Sequence, residues 1–297
     1  MGLLQAEPPD LRLSFGALLP LLLLVALLLL SCPPGASALD LEVIDPLTLY
    51  NDTTASVILD TRPIREWERG HIAGALNFPW ERLTRTDGNG VAYSSLSPPE
   101  LASVLAARGI DDKSPVVIYG DADTSWGSEG YGVWLFAWLG HKGPIRLLNG
   151  GIQGWRSRKL PLVKGAEQRV VAKTVYQVDL KPRYGVSTEE IQNRRGAFTL
   201  VDVRSTFEWL MGSIPGAVHI PWHVFYTGKD HHPLSAAELK KLLAQRGVDL
   251  SKPVVFYCTG GIRSAYAWMI YQLAALPDGR NYKGGWAAWE KRDKRRE

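Results

Sequence analysis

The chain repeats itself, and this duplication constrains its fold more than any other feature. Residues 60–80, DTRPIREWERGHIAGALNFPW, match residues 202–222, DVRSTFEWLMGSIPGAVHIPW. Further on, residues 97–120 match residues 235–258, and a Gly-Gly-x-x-x-Trp segment follows each copy, beginning at Gly150 and at Gly284. Solenoid repeats run roughly 20–50 residues, and these copies are far longer. The sequence therefore predicts two similar folded domains in tandem.

Length and composition agree with two domains and exclude several classes of protein. The chain has 297 residues, of which 45% are hydrophobic and 22% are charged, so it is not a disordered protein. Its formal charge of +4, from 34 basic and 30 acidic residues, is too small to indicate a nucleic-acid partner. The two cysteines, Cys32 and Cys258, exclude a disulfide scaffold and a Cys-rich zinc site. We expect no cofactor and no metal.

The N-terminus has the pattern of a targeting segment. Phe15–Leu30 is apolar, and no charged residue occurs between positions 13 and 39. This run is short for a spanning helix but fits the hydrophobic region of a secretory signal, and residues 36–38 read Ala-Ser-Ala, a cleavage pattern. Residues 29–32, LLSC, also resemble a bacterial lipobox ending at Cys32. Residues 1–38 are therefore predicted to be a signal peptide, a lipoprotein signal or an uncleaved membrane anchor, and the body to be exported, either periplasmic or membrane-attached.

Strand and helix patterns alternate along the body. Short apolar runs rich in β-branched residues are typical of buried parallel strands, and leucine at helical spacing is typical of helices covering them. The predicted strands are Ser56–Asp60, Val116–Tyr119, Thr199–Val203 and Val254–Tyr257, and the predicted helices are Pro98–Arg108, Tyr131–Leu139, Ala236–Arg246 and Ala265–Leu276. This order indicates an α/β fold in which each domain is a parallel sheet with helices on both faces. The domains are predicted at 39–162 and 185–297, joined by a linker at 163–184.

Cys258 is the candidate for the chemistry. It follows a predicted strand and opens a loop that contains two glycines and an arginine and leads into a helix. Ligands of parallel α/β sheets bind at the carboxyl ends of the strands, and glycines let backbone N–H groups converge on an anion there. The helix N-terminus and the arginine add positive potential, which favours a nucleophilic thiolate. The candidate site residues are Cys258 as nucleophile, with Thr259, Gly260, Gly261, Ile262, Arg263 and Ser264 as the substrate cradle.

Taken together, these residues resemble the rhodanese superfamily of sulfurtransferases. The resemblance covers nearly all of residues 40–292 and rests on the DxR…E…GxIxGA pattern, the Cys258 loop and the Gly-Gly segment of each copy. It implies two tandem rhodanese domains. In that family the cysteine takes the outer sulfur of a donor such as thiosulfate as a persulfide, and a thiophilic acceptor then removes it. The implied partners are a small anionic sulfur donor, thiosulfate, and a thiol or cyanide acceptor.

Two details of the motifs bear on the substrate. The family's phosphate-cleaving members and Cys-dependent phosphatases have the longer loop CxxxxxR, whereas Arg263 comes one residue earlier here, which favours sulfur over phosphate. Two-domain relatives usually carry a substrate-binding arginine six residues after the DxR aspartate, where this chain has Glu208. The CTGGIR loop also differs from the CGSG-type loop associated with mercaptopyruvate. We expect Arg263 to compensate in charge, so thiosulfate is the favoured donor.

The first copy departs from the pattern at its reactive loop. Gly120 stands where Cys258 stands in the second copy, and Asp121 and Asp123 follow it. A loop with carboxylates and no thiol cannot form a persulfide, so the first domain is predicted to be non-catalytic and to cover the mouth of the active site. The Asp–Arg pairs of both copies are predicted to be buried structural ion pairs. Three alternatives stay open: a persulfide-carrying sulfur-relay protein, a mercaptopyruvate sulfurtransferase and a Cys-dependent phosphatase.

Overall fold

Two parallel sheets, one in each sequence repeat, form the framework of the body. The computed structural model describes residues 2, 39–165 and 172–293 of the chain. The described residues from 40 to 293 belong to one compact unit, and of residues 1–39 only residues 2 and 39 are described. The predicted targeting segment at 1–38 therefore lies outside the described residues as well. In the described part of the chain, no helix is long and apolar enough to cross a membrane.

The first repeat contains a five-stranded sheet with the order β1-β7-β6-β2-β3, in which all paired neighbours are parallel. Its central strands are short apolar runs that are buried on both faces, as the sequence predicts. A separate antiparallel ribbon joins β4 to β5. The strands are β1 Leu41–Ile44, β2 Val57–Asp60, β3 Leu76–Asn77, β4 Thr84–Arg85, β5 Ser94–Ser95, β6 Val116–Tyr119 and β7 Ile145–Leu148.

The second repeat contains a four-stranded parallel sheet with the order β13-β12-β8-β9. Strands β12 and β8 pair from Val254 opposite Thr199 to Tyr257 opposite Asp202, which matches the pairing of β6 with β2 in the first repeat. An antiparallel ribbon again accompanies the sheet, formed by β10 and β11. The strands are β8 Thr199–Asp202, β9 Val218–His219, β10 Tyr226–Thr227, β11 His232–Pro233, β12 Val254–Tyr257 and β13 Gly279–Asn281.

Ten α-helices among the described residues cover the two sheets, which confirms the predicted α/β class. Three 3₁₀ turns, at Trp80–Arg82, Pro182–Tyr184 and Trp222–Phe225, accompany them. The helices are α1 Pro46–Asn51, α2 Ile64–Arg69, α3 Pro98–Ala106, α4 Ser128–Leu139, α5 Gly151–Ser157, α6 Thr188–Asn193, α7 Thr206–Leu210, α8 Ala236–Gln245, α9 Ile262–Leu273 and α10 Gly285–Asp293.

The helix starts show where the sequence was sufficient and where it was not. Helix α8 begins with a capping box that the sequence pattern Ser-x-x-Glu indicates, in which the Ser235 N–H donates to Glu238 Oε2 at 2.8 Å. Helices α4 and α9 each begin three residues before the predicted position. Their N-caps are Gly127 and Gly261, both in the left-handed region, so each helix starts directly at the glycine turn.

The two repeats pack on each other through α4 and α9. A Cβ atom on Gly130 of α4 would lie 2.2 Å from the Cα atom of Tyr266 on α9, so glycine is required for this approach. Every residue of α4 is buried, because its sheet covers one side and the second repeat covers the other. The packing brings the carboxyl end of β12 close to the loops of the first repeat.

The stretch that was predicted to be a linker, residues 163–184, follows the surface of the first repeat where it is described. Val163 forms an isolated bridge with His71, and the N–H groups of Asp179 and Lys181 donate to carbonyls at the end of α4. Tyr176 is buried and its hydroxyl lies 3.1 Å from His141 Nδ1. This stretch is thus tied to the body by several contacts.

Candidate active site

Cys258 lies at the carboxyl end of β12, in the middle of the second sheet. Its side chain is 2% exposed, and the backbone N–H of Gly261 donates to Sγ at 3.2 Å. Gly261 has a φ of +88° and is the N-cap of α9, so the positive end of that helix is directed at the sulfur. Of the backbone amides that were predicted to converge on an anion, the N–H of Gly261 is the one that donates to the sulfur.

The Gly-Gly segment of the second repeat explains why the loop turns its amides toward the sulfur. The N–H groups of Trp286 and Ala287 donate to the carbonyls of Cys258 and Thr259, at 2.8 and 3.0 Å. A Cβ atom on Gly285 would lie 2.4 Å from the Cys258 carbonyl oxygen, so only glycine allows this approach. Helix α10 thus binds the carbonyl oxygens of the loop, and the N–H of Gly261 faces the sulfur.

Asn281 and Ser264 support the loop from below. The Ser264 hydroxyl lies 3.7 Å from Cys258 Sγ and donates to Asn281 Oδ1 at 2.7 Å, and Asn281 Nδ2 donates to the Gly261 carbonyl at 3.0 Å. Both side chains are fully buried. Asn281 therefore fixes the peptide that follows Gly261 and the hydroxyl beside the sulfur. Sequence reasoning missed Asn281; its signal is a polar residue at the buried end of a strand adjacent to the cysteine strand.

Arg263 does not provide the free positive charge that was expected of it. Its guanidinium donates to both oxygens of Glu208, each at 2.7 Å, and to Thr259 Oγ1 at 2.9 Å. Burial disfavours the Glu208 carboxylate, but the hydrogen bonds and charge of Arg263, together with hydrogen bonds from Ser205, outweigh it and hold the pKa of Glu208 well below its ordinary value. Glu208 occupies the position where relatives carry an arginine, and here it neutralises Arg263. The expected compensation in charge is wrong to that extent.

The first repeat supplies one wall of the cavity that contains Cys258. The cavity has a volume of about 280 Å³, and the first repeat contributes Trp80, Tyr93 and Trp126 to it. A Cβ atom on Gly260 would lie 2.3 Å from the Cβ atom of Tyr93, so the loop and the first repeat are in direct contact. The guanidinium carbon of Arg263 lies 5.4 Å from the ring centroid of Trp126.

The predicted cradle residues are brought together around the sulfur. Gly261 donates to Sγ, and Ser264 lies below it. The remaining residues of the cradle line the cavity with Cys258: Thr259, Gly260, Ile262 and Arg263. The three aromatic side chains were missed, because their approach depends on how the repeats dock and no local sequence pattern marks it.

The corresponding loop of the first repeat is closed by a carboxyl group. A Cβ atom on Gly120 would lie 2.1 Å from Glu129 Oε2, so Glu129 fills the space that the cysteine side chain occupies in the second repeat. Burial, and to a lesser extent the charges of Asp121 and Asp60, raises the pKa of Glu129 to about 7. The adjoining cavity is only about 10 Å³.

The other candidates from the sequence have structural surroundings. The predicted ion pairs are confirmed: Arg62 binds Asp60 and Arg204 binds Asp202, and all four side chains are buried. His232 Nδ1 lies 2.8 Å from Asn149 Oδ1, across the boundary between the repeats. Over the described ranges, no group of three or more His, Cys, Asp or Glu side chains is arranged to hold a metal ion.

Comparisons with known proteins agree with this geometry. The sequence profile of the rhodanese-like domain matches residues 46–158 and again residues 187–292. The chain is 31% identical over 246 residues to the sulfur carrier protein TtuD of Thermus thermophilus, covering 75% of this chain and 83% of that one. It is 30% identical over 242 residues to putative thiosulfate sulfurtransferase 1 of Mycobacterium bovis, covering 75% and 84%.

A solved structure shows the same fold. SseA from Escherichia coli, described as a 3-mercaptopyruvate sulfotransferase with a rhodanese fold, superposes with a TM-score of 0.72 at 21% identity, covering 82% of this chain and 98% of that one. This chain belongs to the rhodanese family of sulfurtransferases, with two rhodanese-like domains in tandem.

Proposed function

We propose that this protein transfers sulfane sulfur from thiosulfate to a thiophilic acceptor through a persulfide on Cys258. The observation that carries the proposal is the hydrogen bond from the Gly261 N–H to Cys258 Sγ inside a cavity of about 280 Å³. A helix N-terminus and a backbone N–H directed at one point attract an anionic group. The relative named a putative thiosulfate sulfurtransferase supports thiosulfate as the donor.

The proposed reaction has two displacement steps. In the first, the Cys258 thiolate attacks the outer sulfur of thiosulfate, the sulfur–sulfur bond of the donor breaks, and its electron pair leaves with sulfite. In the second, a thiolate or cyanide attacks the outer sulfur of the persulfide, and the electron pair of the broken bond returns to Cys258 Sγ. Neither step requires a metal or a cofactor, because sulfur is transferred between nucleophiles at an unchanged overall oxidation level.

The geometry supports a proposal for the groups that hold the anions in these steps. Among the described residues that line the cavity, the charged ones are Glu208 and Arg263, and they neutralise each other. The backbone N–H of Gly261 and the N-terminus of α9 therefore provide attraction for a persulfide or for thiosulfate, with Thr259 and Ile262 at the sides. Arg263 interacts with Cys258 as well as with Glu208, so it adds the part of its charge that Glu208 does not compensate. Gly260 is proposed to let the first repeat come close to the loop, and Ser264 is proposed to hold its hydroxyl beside the sulfur.

A second candidate is a sulfur-relay protein, which would carry the persulfide to a dedicated protein without turning over small acceptors. The relative named a sulfur carrier protein favours it. The loop from Cys258 to Arg263 is shorter than a phosphatase loop and lacks the CGSG-type sequence associated with mercaptopyruvate, so those two activities are less favoured.

Turnover with thiosulfate and cyanide tests the proposal and separates the two candidates. We expect the wild-type protein to produce thiocyanate continuously and Cys258→Ser to produce none, because serine neither ionises near neutral pH nor forms a persulfide. A single stoichiometric release without turnover would favour the carrier. Residual turnover in Cys258→Ser would refute the assignment of the nucleophile.

We also propose export of the body, on the basis of the apolar run Phe15–Leu30. Fractionation of cells that express the full chain tests this, with the periplasm and the membrane as the expected fractions. Cys32→Ser is expected to change membrane attachment if residues 29–32 act as a lipobox, and to leave sulfur transfer unchanged.

A further inference from the structure

An exposed apolar face lies on α7, the short helix that also carries Glu208. Phe207, Leu210 and Met211 are 73%, 69% and 74% exposed. Because they are spaced i, i+3 and i+4, they lie on one side of the helix and its C-terminal cap. We call these three residues the α7 face. Large apolar side chains grouped in water are a feature of interaction sites, whereas single exposed ones are ordinary.

The sequence duplication shows that the fold does not require this face to be apolar. Helix α2 of the first repeat stands at the same place in the repeat, after the same Asp-x-Arg motif. Its residues that match the α7 face in the aligned segments 60–80 and 202–222 are Arg65, Glu68 and Arg69. The thiol-less repeat thus carries charged residues where the repeat with the thiol carries Phe, Leu and Met.

Helix α7, which carries the α7 face, reaches the Cys258 cavity through Glu208, the residue next to Phe207 in the chain. Glu208 lines the cavity, accepts a hydrogen bond from Thr259 Oγ1 at 2.8 Å and pairs with Arg263. Trp126, which is 57% exposed, lies over the guanidinium of Arg263 on the side of the first repeat. The helix that carries the α7 face therefore also contributes a side chain to the cavity wall, and Trp126 is a further exposed aromatic side chain beside the ion pair.

We propose that the α7 face docks a protein that presents a cysteine to the Cys258 persulfide. Cys258 is 2% exposed and its cavity is about 280 Å³, so a protein acceptor can reach the sulfur only with a protruding cysteine, while its body rests on the surface around the mouth. Apolar side chains beside the acceptor cysteine would bury the α7 face. A small acceptor that enters the cavity does not need to contact this face.

This inference rests on the proposed persulfide. The acceptor thiolate attacks the outer sulfur of the Cys258 persulfide, a new sulfur–sulfur bond forms on the acceptor, and the bond to Cys258 Sγ breaks. The electron pair of that bond stays on Sγ as a thiolate. The acceptor therefore becomes a persulfide without any oxidant or reductant.

Two synthetic peptides test the docking surface. Each has eight residues and one central cysteine, which is flanked by leucine and phenylalanine in one peptide and by serine and glycine in the other. With full-length protein in detergent and thiosulfate as donor, we expect a KM about tenfold lower for the apolar peptide, which corresponds to about 1.4 kcal/mol. The triple variant Phe207→Arg, Leu210→Glu, Met211→Arg copies the residues of α2, and we expect it to remove this difference.

Matched controls separate docking from chemistry. The triple variant is expected to keep its thiosulfate–cyanide turnover, since none of its three positions lines the cavity. The reciprocal variant Arg65→Phe, Glu68→Leu, Arg69→Met adds the same apolar groups to α2, and we expect it to leave both peptide KM values unchanged. If the triple variant folds poorly, the single variants Leu210→Glu and Met211→Arg replace it. Each is expected to show a smaller difference in KM between the two peptides than the wild type.

Several results would overturn the inference. Equal KM values for the two peptides in the wild type, or an unchanged difference in the triple variant, would contradict docking at the α7 face. Disappearance of the wild-type difference when the protein is moved into lipid nanodiscs would assign the face to the membrane. A dimer in sedimentation that the triple variant dissociates would assign it to a second copy. Absence of cyanide turnover in the wild type would refute the proposed function instead.

Discussion

The carboxylate of Glu208 holds the guanidinium of Arg263 through two hydrogen bonds of 2.7 Å each, in the wall of the Cys258 cavity. The two residues are 55 positions apart, on α7 and α9, and Arg263 is almost completely buried. Because Glu208 compensates the charge of Arg263, which also interacts with Cys258, the proposed anionic donor would depend strongly on the Gly261 N–H and on the N-terminus of α9. This pairing controls the electrostatics of the site.

Removing the negative charge of the pair is expected to improve the use of a dianionic donor. In Glu208→Gln the amide can still cap α7, while the charge of Arg263 is no longer neutralised. We expect the KM for thiosulfate to fall by about tenfold, which corresponds to about 1.4 kcal/mol, and the gain to shrink as salt is added. Arg263→Ala is expected to act in the opposite direction, because it leaves the Glu208 carboxylate unpaired beside the cavity.

Glu66→Gln is the matched control for this prediction, because Glu66 is the residue of the first repeat that aligns with Glu208. Its partner is the exposed Arg69, and we expect its thiosulfate kinetics to equal those of the wild type. A KM that is unchanged or raised in Glu208→Gln would show that Arg263 has no influence on the donor.

Asn281→Ala is expected to affect both stability and the reactivity of the thiol. The substitution leaves the Ser264 hydroxyl without its Asn281 acceptor and leaves the Gly261 carbonyl only the Ala265 N–H, at 3.3 Å. We expect a cost of about 1–3 kcal/mol in the free energy of unfolding. Because the peptide bearing the Gly261 carbonyl is then no longer fixed, we also expect slower alkylation of Cys258 at neutral pH and a lower kcat.

Asn77→Ala separates these two effects. Asn77 is buried in part in the first repeat, where its Nδ2 donates to the Arg62 carbonyl at 2.8 Å, and it does not line the Cys258 cavity. We expect it to lower stability and to leave the pH profile of alkylation unchanged. If the rate of Cys258 alkylation depends on pH equally in Asn281→Ala and in the wild type, the role of Asn281 is purely structural.

The buried Glu129 predicts a fall in stability as the pH rises. Its pKa in the folded protein is about 7, above the ordinary value of 4.5, so between these values the folded state binds more protons than the unfolded state. The free energy of unfolding therefore decreases from pH 5 to pH 8, with a contribution from Glu129 on the order of 3 kcal/mol. In Glu129→Gln we expect this decrease to be smaller by that amount, as measured by urea unfolding at each pH. Superimposable profiles would show that Glu129 keeps its charge when folded.

Some of this fold could be predicted from sequence because it depends on local patterns. The runs Val116–Tyr119 and Val254–Tyr257 are apolar on both faces and form the predicted strands at the predicted residues. The capping box of Ser235 follows from a serine and a glutamate three positions apart. The starts of α4 and α9 were missed because their glycine caps give no side-chain signal.

Sequence predicts the site residues that are contiguous in the chain and misses those that other elements contribute. The loop from Cys258 to Ser264 is contiguous, so its motif identifies every residue in it. The partner of Arg263 and the support from Asn281 are contributed by other elements, and the aromatic wall depends on the docking of α4 against α9. Such contacts depend on tertiary packing, which the spacing of residues within one segment does not specify.

The central claim is the persulfide on Cys258, and the mass of the protein after incubation with thiosulfate tests it most directly. We expect the intact mass of the wild-type protein to rise by about 32 Da, the mass of one sulfur atom, and to return on addition of cyanide. Proteolysis is expected to place the added sulfur on the peptide that contains Cys258, and Cys258→Ser is expected to show no increase. An unchanged mass in the wild type, or added sulfur on the peptide that contains Cys32, would contradict the account.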